Sequence, residues 1–278
     1  MQGAPSSRKP KPRHWGRRIV IAILVLAIVW GLAAYVLLPL AWARHDRQPG
    51  LADKEMVTRT GDGIAGDPLN VGLVGAQRDV VLAMHAAGWF AADPITLRSS
   101  IDIVGSVVLD RPYPEAPVSP LYLDARREDL AFELPVGRSA DRRLHVRLWQ
   151  VLEKAEEGRP LWLGAVTYDA GVGISHYTGQ VTHRIGPDVD KARDEFAADL
   201  AAAGMVAVTY ELPGIGPTLF GRNGEGDPYH TDGDIRVSVL VPDGERRSAR
   251  PEELANPPLI DLRSAIWRTV NDALAPDR

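Results

Sequence analysis

Residues 142–150 read RRLHVRLWQ, and the alternation in this stretch decides the fold class. Leu144, Val146 and Leu148 interleave with His145, Arg147 and Trp149, so a β-strand here has one aliphatic face and one polar-aromatic face. Working outward, Leu130, Phe132 and Leu134 alternate in the same way, and residues 161–169, 172–185, 205–212 and 235–241 are also strand-like. The second of these stretches is expected to fold back at Thr178-Gly179. Helical spacing appears at 77–87, where Val80, Val81, Met84 and Ala87 share a face and Gly88 follows as a stop. Asp93-Pro94 opens a second helical pattern through Leu97, Ile101, Val104 and Val108. A third covers 188–203, with Asp188 as cap and Gly204 as stop, and a last covers about 259–274, with Leu262, Ile266 and Val270 aligned. Residues 213–234, rich in Gly, Asp and Pro, read as loop. Strands clustered between flanking helices predict an α+β domain over 67–278, built on a mixed, largely antiparallel sheet.

The N-terminal part is of another kind. From Ile19 to Ala43 no residue is charged, and the core IVIAILVLAIVWGLAAYVLL is almost wholly aliphatic. Twenty such residues at about 1.5 Å each span a hydrocarbon core of about 30 Å. Arg8, Lys9, Lys11, Arg13, Arg17 and Arg18 precede the run, and aromatic residues (Trp15, Tyr35, Trp42) stand near its ends. Charge asymmetry of this sense keeps residues 1–18 in the cytoplasm, sends 19–43 across a bacterial inner membrane and puts the main domain in the periplasm. Ala41-Trp42-Ala43 fits a small-x-small cleavage pattern, but the apolar run exceeds the roughly 7–15 residues of a signal peptide, which favours an uncleaved signal-anchor. Residues 44–66, polar and without periodicity, read as a linker.

Those six basic residues face no acidic residue in the first 43 positions, which leaves 26 Lys+Arg against 36 Asp+Glu, a net charge of −10, for residues 44–278. A domain this acidic is a poor partner for a phosphate backbone, so nucleic acid is not expected. The chain has no cysteine, which removes disulfides, thiolate metal sites and a thiol nucleophile.

Three groups of residues could carry chemistry. His145, Arg147 and Trp149 would share one strand face, able to hold a ligand, although exposed antiparallel faces are routinely polar and the plain expectation is a solvated surface. Asp169, His176, His183 and Asp190, with Asp188 beside them, include residue types that ligate zinc or manganese, and a turn at Thr178-Gly179 would bring His176 and His183 together. Asp188 already has a role as helix cap. In the loop 221–234, Glu225, Asp227, His230, Asp232 and Asp234 could gather oxygens round calcium, without EF-hand spacing. No Gly-x-Ser-x-Gly elbow, P-loop, completed dinucleotide fingerprint or His-Glu-x-x-His is present.

GDPLNVGLVGAQRDVVLAMHAAGW (66–89), RRLHVRLWQ (142–150), WLGAVTYDAGVG (162–173) and THRIGPDVDKARD (182–194), in that order, resemble the LssY C-terminal domain. The resemblance covers roughly residues 66–241. It implies company with multi-spanning membrane modules, DedA-like and type-2 phosphatidic acid phosphatase among them, and through them envelope lipid handling. This chain departs from that arrangement in having one apolar span. It also lacks the Ser-Gly-His and Ser-Arg…His…Asp elements of that phosphatase, so phosphatase activity is not carried over, and no catalytic residue is transferred.

Two classes of function fit these observations. One is a binding or accessory module of the cell envelope, needing no cofactor, whose partner is an envelope lipid or a membrane protein. The other is a hydrolase acting on envelope lipid or polyprenyl phosphates through a divalent metal at the His/Asp group.

Overall fold

The computed structural model describes residues 15–45, 47–92, 120–137, 142–177, 179 and 181–274. The helical pattern expected at 93–108 lies outside the described residues. The chain divides into two compact units, Met1–His45 and Asp46–Arg278.

The described part of the first unit, residues 15–45, is helical: α1 (Trp15–Leu32), a π-helical turn (Ala33–Leu37) and α2 (Leu38–His45). Within Trp15–Ala41 an 18-residue stretch reaches a mean hydropathy of 2.8, and the helix is long and apolar enough to cross a membrane. The π turn has a cause in the sequence. Pro39 has no N–H and its ring opposes the carbonyl four residues back; just before it, the Leu38 N–H reaches Ala33 O, five residues back, so the helix widens instead of breaking. Arg17 and Arg18 stand at the start of α1, and Trp42 lies in α2.

In the second unit, β1 (Val57–Arg59), β2 (Ala65–Pro68), β3 (Val71–Val74), α3 (Gln77–Ala86) and β4 (Phe90–Ala91) come first. Next are β5 (Tyr122–Leu123), β6 (Arg126–Arg127), β7 (Leu130–Pro135), β8 (Arg143–Leu152), β9 (Leu161–Ile174) and β10 (Val181–Ile185). The chain continues through α4 (Val189–Ala202), β11 (Val206–Pro213), β12 (Thr218–Arg222), β13 (Pro228–Thr231), β14 (Asp234–Leu240), β15 (Glu252–Glu253) and α5 (Pro258–Leu274). Among the described residues, nine strands form one sheet in the order β15-β11-β14-β3-β9-β8-β7-β4, with β10 also on β9, and of these pairs only β14–β3 and β11–β15 are parallel. This is the α+β, largely antiparallel domain that the alternation predicts. A small second sheet runs β2-β1-β5-β6.

The nine-stranded sheet is covered on both faces. On one, Leu144, Val146, Leu148, Trp162 and Val166 pack with Val80, Val81 and Met84 of α3 and with Ala192, Phe196 and Leu200 of α4. On the other, Trp149, Leu163 and Ala165 pack with Leu51, Leu121, Leu123 and Tyr210. Full burial of a side chain of this size stabilises by about 1.5–3 kcal/mol, which fixes which face each strand residue takes.

One polar residue settles how β9 outlives its neighbour. Asn70, 1% exposed, donates from Nδ2 to Val166 O and Val189 O, while its Oδ1 accepts from Val166 N. The amide thus replaces the ladder where β3 stops, and the far half of β9 takes up β10 on that side.

Two expectations need correction. Residues 47–66 are not an unstructured linker: Gln48, Leu51 and Thr58 are buried, and the span contains β1 and part of β2. Gln48 donates to Glu157 and Tyr210, polar bonds that a polar-looking segment hides from a hydropathy reading. Residues 213–234 are not all loop, because β12 and β13 form a two-stranded ribbon. Its pairing brings Gly221 opposite Tyr229, where a Cβ would stand 2.4 Å from the ring, so the glycine that suggests a loop is what lets the strands close. In α5, Leu262 and Ile266 are each 57% exposed, Val270 is half-buried and the neighbouring Ile260 is fully buried, so the first two members of the aligned stripe face away from the core.

Candidate functional site

Every residue of β8 from Arg143 to Trp149 is buried, so its polar-aromatic face is not a solvated surface. Register explains what it meets. Arg143 stands opposite Asp169, His145 opposite Thr167 and Arg147 opposite Ala165. Since paired residues point to the same side, the far end of this sheet face is polar where the near end, around Trp149 and Leu163, is apolar.

At that polar end lies a cavity of ≈ 50 Å³. Its floor is His145 and Arg147 of β8 with Thr167 and Asp169 of β9. Thr182, His183 and Ile185 of β10 form one wall. Thr60, Asp67 and Leu121, together with the turn Asn223, Gly224 and Glu225 between β12 and β13, close it from the other side. Half-exposed Thr60, Thr182, His183 and Glu225 form its rim. Three layers of the domain, distant in sequence, therefore converge on one small polar space.

The charges around it are largely committed. Arg143 reaches Asp169 Oδ2 from Nε and Glu133 Oε2 from Nη1, each at 2.9 Å. Arg147 Nη1 lies 3.6 Å from Asp67 Oδ2, and Asn223 Nδ2 donates to Asp67 Oδ1 at 3.4 Å. Asp227, also buried, accepts from Ile185 N at 3.1 Å. Burial pushes the Asp67 carboxyl above the usual carboxylate range; Arg147 opposes this, and Asp169 adds to it. His145, 2% exposed, has its pKa held well below the ordinary imidazole value, first by burial and then by Arg147, Arg143 and His183. It is therefore neutral at physiological pH. Its Nε2 has no hydrogen-bond partner among the described residues, and neither has His183 Nδ1.

The structure thus brings together residues from two of the groups singled out in the sequence. His145 and Arg147 from the strand face share the cavity with Asp169 and His183 from the His/Asp group. Trp149 does not line it: its indole is fully buried in the apolar half and donates to Arg126 O at 3.0 Å. His176 lies in the turn after β9, its side chain 53% exposed, with Nε2 3.9 Å from Asp227 Oδ1. Asp190 belongs elsewhere, accepting from Thr231 Oγ1 at 2.6 Å and Asp232 N at 2.7 Å. Among the described residues no three His, Asp or Glu side chains are grouped to hold a metal. Asp188 caps α4, accepting from Lys191 N.

The acidic loop disperses in the same way. Asp232 takes both Arg193 Nη1 and Nη2, at 2.7 and 3.1 Å, and Asp234 pairs with Arg263 of α5. Asp67, Thr167, Thr182 and Asn223 are among the cavity residues that sequence reading missed. The signal for Asp67 was a carboxylate next to Pro68, at the entrance to a buried strand; Asn223 carried none, since it sits in a Gly-rich stretch.

No curated protein and no solved structure matches the chain. A family model described as LssY C-terminus matches residues 48–235, from buried Gln48 to the start of β14 and across every residue that lines the cavity. That match covers more than half of the chain, which therefore belongs to the LssY C-terminus family.

Proposed function

We propose that the protein is a membrane-tethered binding module of the cell envelope, holding a small polar group in the cavity over His145. The basic residues before α1 support a cytoplasmic N-terminus, with the domain on the periplasmic side of the inner membrane. One observation carries the binding role. His145 Nε2 and His183 Nδ1 are inside the protein, in residues that line the same cavity, with their hydrogen-bonding capacity unused among the described residues. About nine in ten buried polar atoms in folded proteins are bonded, and leaving one unsatisfied costs about 1–3 kcal/mol. An imidazole kept at that cost is suited to a ligand that completes its bonds.

The test is the stability of full-length wild type against His145→Leu by denaturant unfolding in detergent. A binding imidazole contributes nothing to the empty fold, so the variant should stay within about 1 kcal/mol of wild type or exceed it. A loss of about 3 kcal/mol or more would make His145 a structural member of the ionic network and remove the basis of the proposal.

A further inference from the structure

We infer that the group held in this cavity is a neutral vicinal diol, the glycerol end of a lipid headgroup or the edge of a sugar ring; this rests on the binding reading above. Charge excludes the main alternatives. An anion would meet Asp67, Asp169 and Glu225 on the walls and Asp227 behind them, while Arg147 already faces Asp67 and Arg143 is held between Glu133 and Asp169. A cation would enter beside Arg147 and find Asp169 and Asp67 already engaged.

Among the described residues, the fully buried cavity atoms without a protein partner are His145 Nε2 and His183 Nδ1. A neutral imidazole offers one donor and one acceptor, and the hydroxyls of Thr167 and Thr182 on the same walls also do both. Groups that both donate and accept are best answered by a ligand that does the same, and a neutral hydroxyl is the simplest. Size limits how many. About 10–15 Å³ holds one water, so ≈ 50 Å³ admits roughly four heavy atoms, two adjacent carbons with their hydroxyls. Leu121 and Ile185 provide apolar wall for the carbon edge.

The experiment is NMR of full-length protein in phosphatidylcholine nanodiscs with ring-labelled histidines, at a pH above the ordinary imidazole range. Four soluble probes are titrated separately: glycerol, methyl α-mannopyranoside, inorganic phosphate and ethanolamine. A parallel sample replaces part of the lipid with phosphatidylglycerol. The His145 and His183 signals should move with a diol, and His145→Leu should abolish the movement at His183. Movement with the soluble diols assigns a sugar or free polyol, and movement only with phosphatidylglycerol assigns a lipid headgroup. Movement with phosphate or ethanolamine alone overturns the diol and leaves the binding module standing. No movement with any probe overturns the diol, and the stability of His145→Leu then decides separately whether the cavity is a site at all.

Discussion

Arg143 Nε lies 2.9 Å from Asp169 Oδ2 across adjacent strands, and both side chains are less than a tenth exposed. The pair removes Asp169 from any loose cluster of ligands and makes it part of a buried ionic row with Glu133. Breaking one side of such a pair leaves an uncompensated charge inside the protein. Asp169→Ala should therefore cost about 3–5 kcal/mol in urea unfolding, and Arg143→Met combined with Asp169→Leu should cost less than the two single changes added together. Simple additivity in that cycle would show that the two residues do not act as a pair.

How much of this was written in the sequence varies by element. The alternation at Leu144, Val146 and Leu148 identified β8, because a period of two needs no tertiary information. Its sidedness was legible and its exposure was not. A polar face normally meets water, but here residues 57–68 and 120–127, remote in the chain, lay a second sheet over the core face that continues into it. Its counter-ions come from β2, β7 and β9, so no local window contains them. Residue type and spacing therefore found His145, Arg147, Asp169 and His183 as members of two groups, and only the strand register joined them. Asp190 was misplaced for the converse reason: near His183 in sequence, it turns with α4 towards β13, to Thr231 and Asp232.

Acid and base should act on the fold through different residues. Burial raises the Asp234 carboxyl to about 7, with Arg263 opposing and Asp232 and Glu211 adding to the rise. A folded-state pKa above the unfolded value of about 3.9 means that the native state binds this proton more tightly. Asp234 thus contributes stability that is full below about pH 4 and lost as pH rises towards 7, on the order of 4 kcal/mol across that window. Asp234→Asn should flatten that part of the stability curve relative to wild type; an unchanged slope would contradict the assignment. His145 works in the opposite sense. Its depressed pKa withdraws stability as pH falls below about 6.5, and His145→Leu should lessen that acid-side loss.

Topology can be read with a single thiol, because the chain contains no cysteine. Phe220, on β12, is 74% exposed, so Phe220→Cys presents one accessible sulfur without disturbing the core. In spheroplasts a membrane-impermeant maleimide should label it fully before lysis. Protection until the membrane is broken would place the domain in the cytoplasm and reverse the orientation proposed from the basic residues.

The most direct measurement is the melting temperature of full-length wild type and His145→Leu, each with and without the lipid and small-molecule extract of the native cell envelope. A ligand held by the native state alone stabilises it by RT ln(1 + [L]/Kd), about 2.7 kcal/mol at a hundredfold excess over Kd, or several degrees in a domain of this size. The extract should raise the melting temperature of wild type and leave His145→Leu where it was. Equal shifts in both proteins, or none in either, would contradict a binding cavity built on His145.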